Sequence, residues 1–557
     1  MHDRGRGWDG PHGLRVAGAA ASGQAGGVAQ EHTYRPEPHA ESGDLGSDGP
    51  QAAPGSRRWL FADQLGPHFL DHPGQPALLV ESKAVFRRRR FHRVKAHLLL
   101  SALRHRAAEL GDQALFASTE TYREGLERLA PGEPLSVCDP TSRPAREFVR
   151  RLEREGLVGV LPARGYAVTE QQFDAWAARR GHKRLLLEDF YREVRRFHGL
   201  LLDERGEPEG GRWNYDEENR QPPPRKARTL ADATGVQEPW WPTEDDVDAQ
   251  VRELLDRWAK DDGIEFVGED RPRIFAVTRD EALASLDWFV EHRLDGFGPH
   301  EDAMLAQDRW MSHSVLSAPI NLGLLHPLEI AQRVVAAYHA SEARLSSVEG
   351  FLRQIVGWRD YVWHVYWYAG EEYRGSDALG AHEPLPRWFA ELDPDGEVRA
   401  NCLSHVLRAV REDGWTHHIQ RLMVLGNWGL QRGYDAAELS QWFQRSFVDG
   451  YDWVMLPNVV GMSQHADGGF MATKPYAAGG AYINRMSDYC GGCVYDPKVR
   501  VGENACPYTA GYWAFLARNR SRLEGNPRMT QALRGLDRLR NADAVIAQER
   551  ERGHAAP

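Results

Sequence analysis

An α/β domain built on a parallel sheet, followed by an all-α domain, is the fold this sequence predicts. Three observations carry it. Short apolar runs alternate with helical stretches over about residues 58–190, the pattern of strand–helix units with parallel strands. From about residue 246 the apolar spacing is helical almost to the end. Between the two, residues 205–245 are rich in Gly, Pro and Trp, with Gly210-Gly211-Arg212-Trp213 and Pro222-Pro223-Pro224, and read as a long crossing connection.

Taken in order, residues 1–57 carry Gly, Ala, Pro, Ser and His without a hydrophobic period. They bury too little apolar surface to offset ordering entropy and are expected to be disordered. Arg58–Gln64 reads as a buried strand and Pro76–Glu81 as a second. A helix with Leu98, Leu99, Leu100 and Leu103 on its apolar face follows, then strands at Gln113–Ser118 and Leu157–Leu161. Val348–Tyr368 and Ile419–Leu430 have helical spacing. The expected division is an extension over 1–57, an α/β domain over 58–190 and an interdomain linker over 191–245. A helical domain over 246–525 and a helical tail over 526–557 complete it.

Composition excludes several classes. A formal net charge of −11 argues against a protein that coats nucleic acid through bulk charge, although a local basic groove remains compatible with it. No apolar run approaches the roughly 20 residues that span a bilayer, and no signal-peptide order is present. A cytoplasmic monomer, free of membrane, is expected.

The cysteines are Cys138, Cys402, Cys490, Cys493 and Cys506, an odd number that argues against a disulfide framework. Cys138 reads as core. Cys490-x2-Cys493-x12-Cys506, with Cys402 upstream, forms a candidate four-thiolate set, and both zinc and iron–sulfur clusters accept four thiolates. Cys506 precedes Pro507, a pairing that recurs at iron–sulfur sites.

Several segments together resemble the cryptochrome/photolyase family. Ser314-Val315-Leu316-Ser317, with Gly323 and Leu324 after it, is similar to the motif that cradles the FAD phosphates there. Phe351-Leu352-Arg353-Gln354-Ile355-Val356-Gly357-Trp358 is similar to the helix beside the flavin. Val454-Met455-Leu456-Pro457-Asn458-Val459-Val460-Gly461-Met462-Ser463, leading through Thr473-Lys474-Pro475-Tyr476 to the cysteine pair, resembles the iron–sulfur branch: bacterial (6-4) photolyases and related cryptochromes. The resemblance covers about residues 58–520.

That resemblance implies an N-terminal antenna domain and a C-terminal domain holding FAD and a [4Fe–4S] cluster on Cys402, Cys490, Cys493 and Cys506. It implies a 6,7-dimethyl-8-ribityllumazine antenna; Asp63 matches an acidic position after the first strand, whereas Val85 stands where the family carries an acidic residue after the second, with Glu81 close by. It implies UV-damaged DNA as partner and light-driven repair of (6-4) photoproducts as activity. Ser314, Leu316, Ser317, Gln354 and Trp358 fall at FAD positions. Thr416-His417-His418-Ile419-Gln420-Arg421 matches the His-His-x-x-Arg stretch of (6-4) photolyases, with His418 as proton donor beside His417. Arg421 is expected beside the flavin, paired with Asp449, and Asn458 nearest the reactive ring nitrogen. Tyr476 and Met462 match positions at the lesion pocket. Trp442, Tyr482 and Trp388 match the electron-transfer chain. Two other readings use the same residues: a cryptochrome-type photoreceptor that signals without repair, and a light-independent iron–sulfur DNA-binding module.

Overall fold

The structure is a computed structural model and describes residues 55–557 apart from 182, 183 and 396. The extension expected over 1–57 therefore lies outside the described residues up to residue 54.

Five strands form one parallel sheet: β1 (Arg57–Leu60), β2 (Ala77–Ser82), β3 (Ala114–Thr119), β4 (Leu135–Cys138) and β5 (Val158–Leu161). Their order is β3-β2-β1-β4-β5, so the direction of winding reverses between β1 and β4, where open α/β sheets form a crevice. Successive residues of β2 face opposite ways: Leu79 joins a core with Leu98 and Ala102, whereas Leu78 and Val80 join another with Leu126, Val149 and Leu152. Both faces are thus covered by helices, as a parallel sheet requires. The first strand is shorter than the run Arg58–Gln64 suggests. Gln64 turns out of the sheet, and its amide nitrogen donates to the Cys138 carbonyl at 3.1 Å.

Among the helices, α1 (Arg93–Leu110) lies against the sheet and α2 (Asp246–Asp262) packs on α1. Phe86, Leu100, Leu255 and Trp258 share one apolar cluster. The first helix after the connection therefore docks on the α/β part. Further on come α3 (Asn401–Asp413), α4 (Gly480–Met486), α5 (Pro507–Arg518) and α6 (Ala542–Arg552). The last of these is anchored to the helical region by a buried ion pair of Glu549 with Arg432. Lys95 of α1 crosses between the halves: its buried ammonium donates to the carbonyls of Gln444 at 2.7 Å and Gly450 at 2.6 Å.

Three segments that read as ordinary helix are π-helical: Arg353–Arg359, Gln420–Gly426 and Pro457–Ser463. Such turns are uncommon and concentrate at functional sites. No helix among the described residues is long and apolar enough to cross a membrane.

Several buried histidines are held neutral. His92 accepts from the Val94 amide at 3.2 Å to cap α1, and its other nitrogen lies 3.0 Å from the Arg411 carbonyl. Burial pushes His92 and His326 down to about 4 and His364 to about 3, from an ordinary 6.5. The unfolded chain then binds protons near pH 6 that the folded chain refuses. Stability is full above pH 6.5 and is lost as pH falls toward 4, at roughly 1.4 kcal/mol per pH unit for each such group. Thermal melting is expected to drop steeply from pH 7 to pH 5; an unchanged midpoint contradicts this assignment.

Candidate active site and cysteine cavity

Trp358 and Val454 pack against both large apolar clusters of the molecule, one holding the sheet and helices up to Met471, the other centred on residues 389–508. Trp358 of the first π-helical segment lies at this seam. Gln420–Gly426 lies against Pro457–Ser463, and the Gln464 amide donates to the Gly426 carbonyl at 2.9 Å. Each segment carries residues singled out from the sequence: Gln354 and Trp358 on the first, Arg421 on the second, Asn458 on the third.

Arg421 is the electrostatic centre. Its guanidinium makes a two-pronged ion pair with Asp449 at 2.8 and 2.9 Å, donates to the Thr416 carbonyl at 2.6 Å and lies over the Phe447 ring at 4.4 Å. Asn321 holds the Asp449 carbonyl at 3.1 Å. Removing one partner of a mostly buried pair strands the other, which costs roughly 3–5 kcal/mol. Asp449→Ala is therefore expected to lower the urea midpoint markedly and to reduce flavin retention; wild-type unfolding would refute the pairing as a structural element.

His417 and His418 precede this segment. His417 is 1% exposed, stacks on His313 with centroids 4.5 Å apart, and neither ring nitrogen has a hydrogen-bond partner among the described residues. Burial first, then His313, His418 and Arg421, hold it well below the ordinary range. His418 instead opens to solvent. Desolvation by its surroundings and then the Arg421 charge push it down to about 4.

The Ser314–Ser317 stretch forms the adjoining wall. Val315 adopts φ +59°, a left-handed conformation that costs a β-branched residue dearly and marks functional loops. The Ser314 hydroxyl accepts from the Leu316 amide at 3.4 Å, and the buried Ser317 hydroxyl has no partner among the described residues. Gly323, at φ +73°, leaves only 2.8 Å between a hypothetical Cβ and the Asp63 carbonyl oxygen, so the first strand's turn seats directly on this motif.

Trp388 stands partly exposed, 5.6 Å from Phe389 and 6.2 Å from Trp428; Phe389 in turn lies 4.5 Å from Trp442. Tyr482 lies apart from these rings on α4, with Arg485 over it at 5.6 Å. Tyr476 is 37% exposed. Sequence reasoning missed three features: His313, the Phe447 platform, and an acidic set beside the tyrosines. In that set burial pushes Glu301 up to about 8 against the pull of Arg353, and Asp302 to about 6. In the α/β part, Asp63 accepts from the Thr141 hydroxyl and Glu81 pairs with Arg104 at 2.6 Å.

Cys402, Cys490, Cys493 and Cys506 line one cavity with Gly480 and Tyr508. Cys402 comes from α3, Cys490 from the turn after α4, and Cys506 caps the start of α5. Burial and then the neighbouring cysteines raise Cys402 well above the thiol range and Cys490 to about 12. A Cβ on Gly480 would stand 2.7 Å from the Cys506 sulfur, so glycine keeps that side clear. Cys138 is fully buried in the first part.

The sequence matches the family described as deoxyribodipyrimidine photo-lyase-related protein over residues 58–263. A (6-4) photolyase of Agrobacterium fabrum (strain C58 / ATCC 33970) is 40% identical over 498 residues, covering 85% of this chain and 93% of that protein. The uncharacterized protein R855 of Acanthamoeba polyphaga mimivirus is 43% identical over 54 residues, 10% of this chain and 44% of that protein. The fold is similar to that of a bacterial class III photolyase from Agrobacterium tumefaciens, at TM-score 0.50 and 15% identity, over 92% of this chain and 98% of that one. With a parallel sheet whose winding reverses, a helical region after it, and this extent of identity, the chain belongs to the cryptochrome/photolyase family, on its (6-4) photolyase branch.

Proposed function

We propose that the protein repairs (6-4) pyrimidine photoproducts in UV-damaged DNA under blue light, with FAD as its working cofactor. The observation that carries this reading is His418, open to solvent next to the Arg421–Asp449 pair, in a chain 40% identical to a (6-4) photolyase. FAD, when bound and reduced, supplies an electron to the lesion on illumination.

The residues present fit that cofactor. The partnerless Ser317 hydroxyl and the constrained Val315 turn suit phosphate oxygens, and the two free nitrogens of His417 await a polar neighbour. Arg421 offers a fixed positive charge, held by Asp449, to an anionic ring system. Gln354, Trp358 and Asn458 line the same seam, though Asn458 donates to the Val454 carbonyl at 2.8 Å.

Reversal of a (6-4) lesion moves a hydroxyl group back between bases and needs a proton at that oxygen. His418 is the donor on this reading. Its low pKa beside Arg421 keeps it neutral in the free protein; the phosphates of bound DNA offset that charge and favour the protonated ring. Tyr476 shapes the lesion pocket. Trp388, Phe389 and Trp442 form a ring-to-ring path from the surface inward, in keeping with a role in electron supply. A lumazine antenna at the crevice beside Asp63 completes the reading.

The four cysteines suit a [4Fe–4S] cluster better than zinc. Among the described residues, the one group of three or more metal-ligating side chains with all ligand atoms within 4.8 Å of one another is His105, Asp245 and Asp248. No three of the four cysteine sulfurs all lie within 4.8 Å of one another, a wider spread than the about 3.8 Å that tetrahedral zinc with 2.3 Å bonds demands. The acidic group is already engaged: Asp245 caps α2, and Asp248 pairs with Arg273 at 2.9 Å.

The test is illumination of flavin-reduced protein with oligonucleotides carrying a defined (6-4) product or a cyclobutane dimer. Restoration of the (6-4) substrate alone is expected. Absence of (6-4) repair in flavin-replete protein that still photoreduces would overturn the reading in favour of a photoreceptor.

A further inference from the structure

Beyond the lesion site, α4 and α5 wall a cleft of about 340 Å³ bounded by Pro497, Lys498, Arg500, Thr509, Tyr512 and Trp513. Its floor is aromatic: the half-buried Tyr512 and Trp513 rings lie 5.1 Å apart at 71°. Its rim is cationic: Lys498 and Arg500 are exposed, and their side chains have no ion pair or hydrogen bond among the described residues. The frame is fixed. The Thr509 hydroxyl accepts from the Gly480 amide at 3.0 Å and donates to the Pro497 carbonyl at 2.8 Å. Gln548 of α6 accepts from the Gly502 amide at 2.7 Å and donates to the Arg500 carbonyl at 3.4 Å.

We infer that this cleft binds a nucleotide of the DNA strand flanking the lesion, with its phosphates on Lys498 and Arg500 and an unstacked base on Trp513 and Tyr512. Charge complementarity selects the occupant: two unneutralised cations on a chain of net charge −11 match a phosphodiester, and aromatic faces accept any base. Position agrees. The cleft begins at Gly479, three residues after Tyr476, and shares α4 with Tyr482 and Arg485. Apart from the rim cations Lys498 and Arg500, the residues lining the cleft carry no charge, and stacking on aromatic faces tolerates any base. It extends the DNA footprint from the flavin seam toward the cysteine cavity.

The inference rests on the DNA-repair reading, and the test separates the two. Binding of a (6-4) duplex is followed by fluorescence anisotropy at several salt concentrations, with long flanks or with flanks cut to two base pairs. Lys498→Gln/Arg500→Gln should weaken binding of the long duplex about tenfold, and lower the slope of log K against log salt by about 1.4–1.8, as expected for two lost phosphate contacts. It should leave binding of the short duplex and flavin content unchanged. Trp513→Leu, checked for an unchanged melting temperature, should weaken the long duplex roughly fivefold or more with the salt slope intact. Wild-type affinity and slope in the double variant overturn the cleft while leaving repair standing. Weakening that is equal on both duplexes also overturns it, because the contact is then not with the flank. Failure of the wild type to bind either lesion duplex removes both readings together.

Discussion

His418→Ala is expected to keep its FAD, its photoreduction and its affinity for damaged DNA, and to lose repair of the (6-4) product by roughly 10²–10⁴-fold, the usual worth of a positioned general acid. The roles separate because the electron and the proton come from different groups. His418 is exposed, so its loss leaves no cavity, whereas His417 is buried against His313. His417→Ala should therefore act on stability and flavin retention before it acts on chemistry. The pH dependence has a definite sign. A donor works only when protonated, so repair per absorbed photon should fall as pH rises through the His418 pKa of the DNA complex. That value should stand above the value of about 4 set by desolvation and Arg421 in the free chain. Leu422, one turn on, carries no exchangeable proton and cannot take over. Normal repair per photon in flavin-replete His418→Ala would remove this histidine from the reaction.

Cys490→Ala and Cys506→Ala are each expected to lose iron and most of the soluble yield, on the proposal that the four cysteines hold a cluster. A metal centre that ties α3, the turn after α4 and the start of α5 contributes its binding free energy to folding. For structural metal sites that is of order 10 kcal/mol, comparable with the whole stability of a typical domain. Without it, thiols raised by burial and by one another are left facing a void. Cys138→Ala, on β4 and away from the cavity, should retain full iron. Stoichiometric zinc without iron in protein prepared under nitrogen would refute the cluster.

Four of the sheet's five strands were legible in the sequence, two of them as short as β4. β2 is six residues of mostly apolar sequence between polar turns. β4 was missed because Leu135-Ser136-Val137-Cys138 is buried on both faces and shows no alternation. The π-helical segments left no trace, since one extra residue per turn barely disturbs an apolar spacing read over a dozen positions. Of the site, the residues inside contiguous motifs were found: His418 with Arg421, the serines, the cysteine pair. The pairing of Arg421 with Asp449, 28 residues away, rested on resemblance to the family. His313 and Phe447 escaped because their part depends on which rings they meet in space. Docking of α2 on α1 was likewise invisible, for an amphipathic helix records that it has a partner without recording which.

Lys95 gives the molecule's two halves a shared fate. Its ammonium is buried where it satisfies two carbonyls on either side of the turn that presents Asp449. An α/β half expressed alone would turn the Lys95 ammonium out to water, and a helical half expressed alone would leave the Gln444 and Gly450 carbonyls beside Asp449 without their donor. Exchange of the front half between relatives, by recombination or by design, must therefore transplant this lysine and its carbonyl receptors as one inherited unit. The border along which this protein can be divided and reassembled follows that hydrogen-bonded seam, and not the connection between residues 205 and 245.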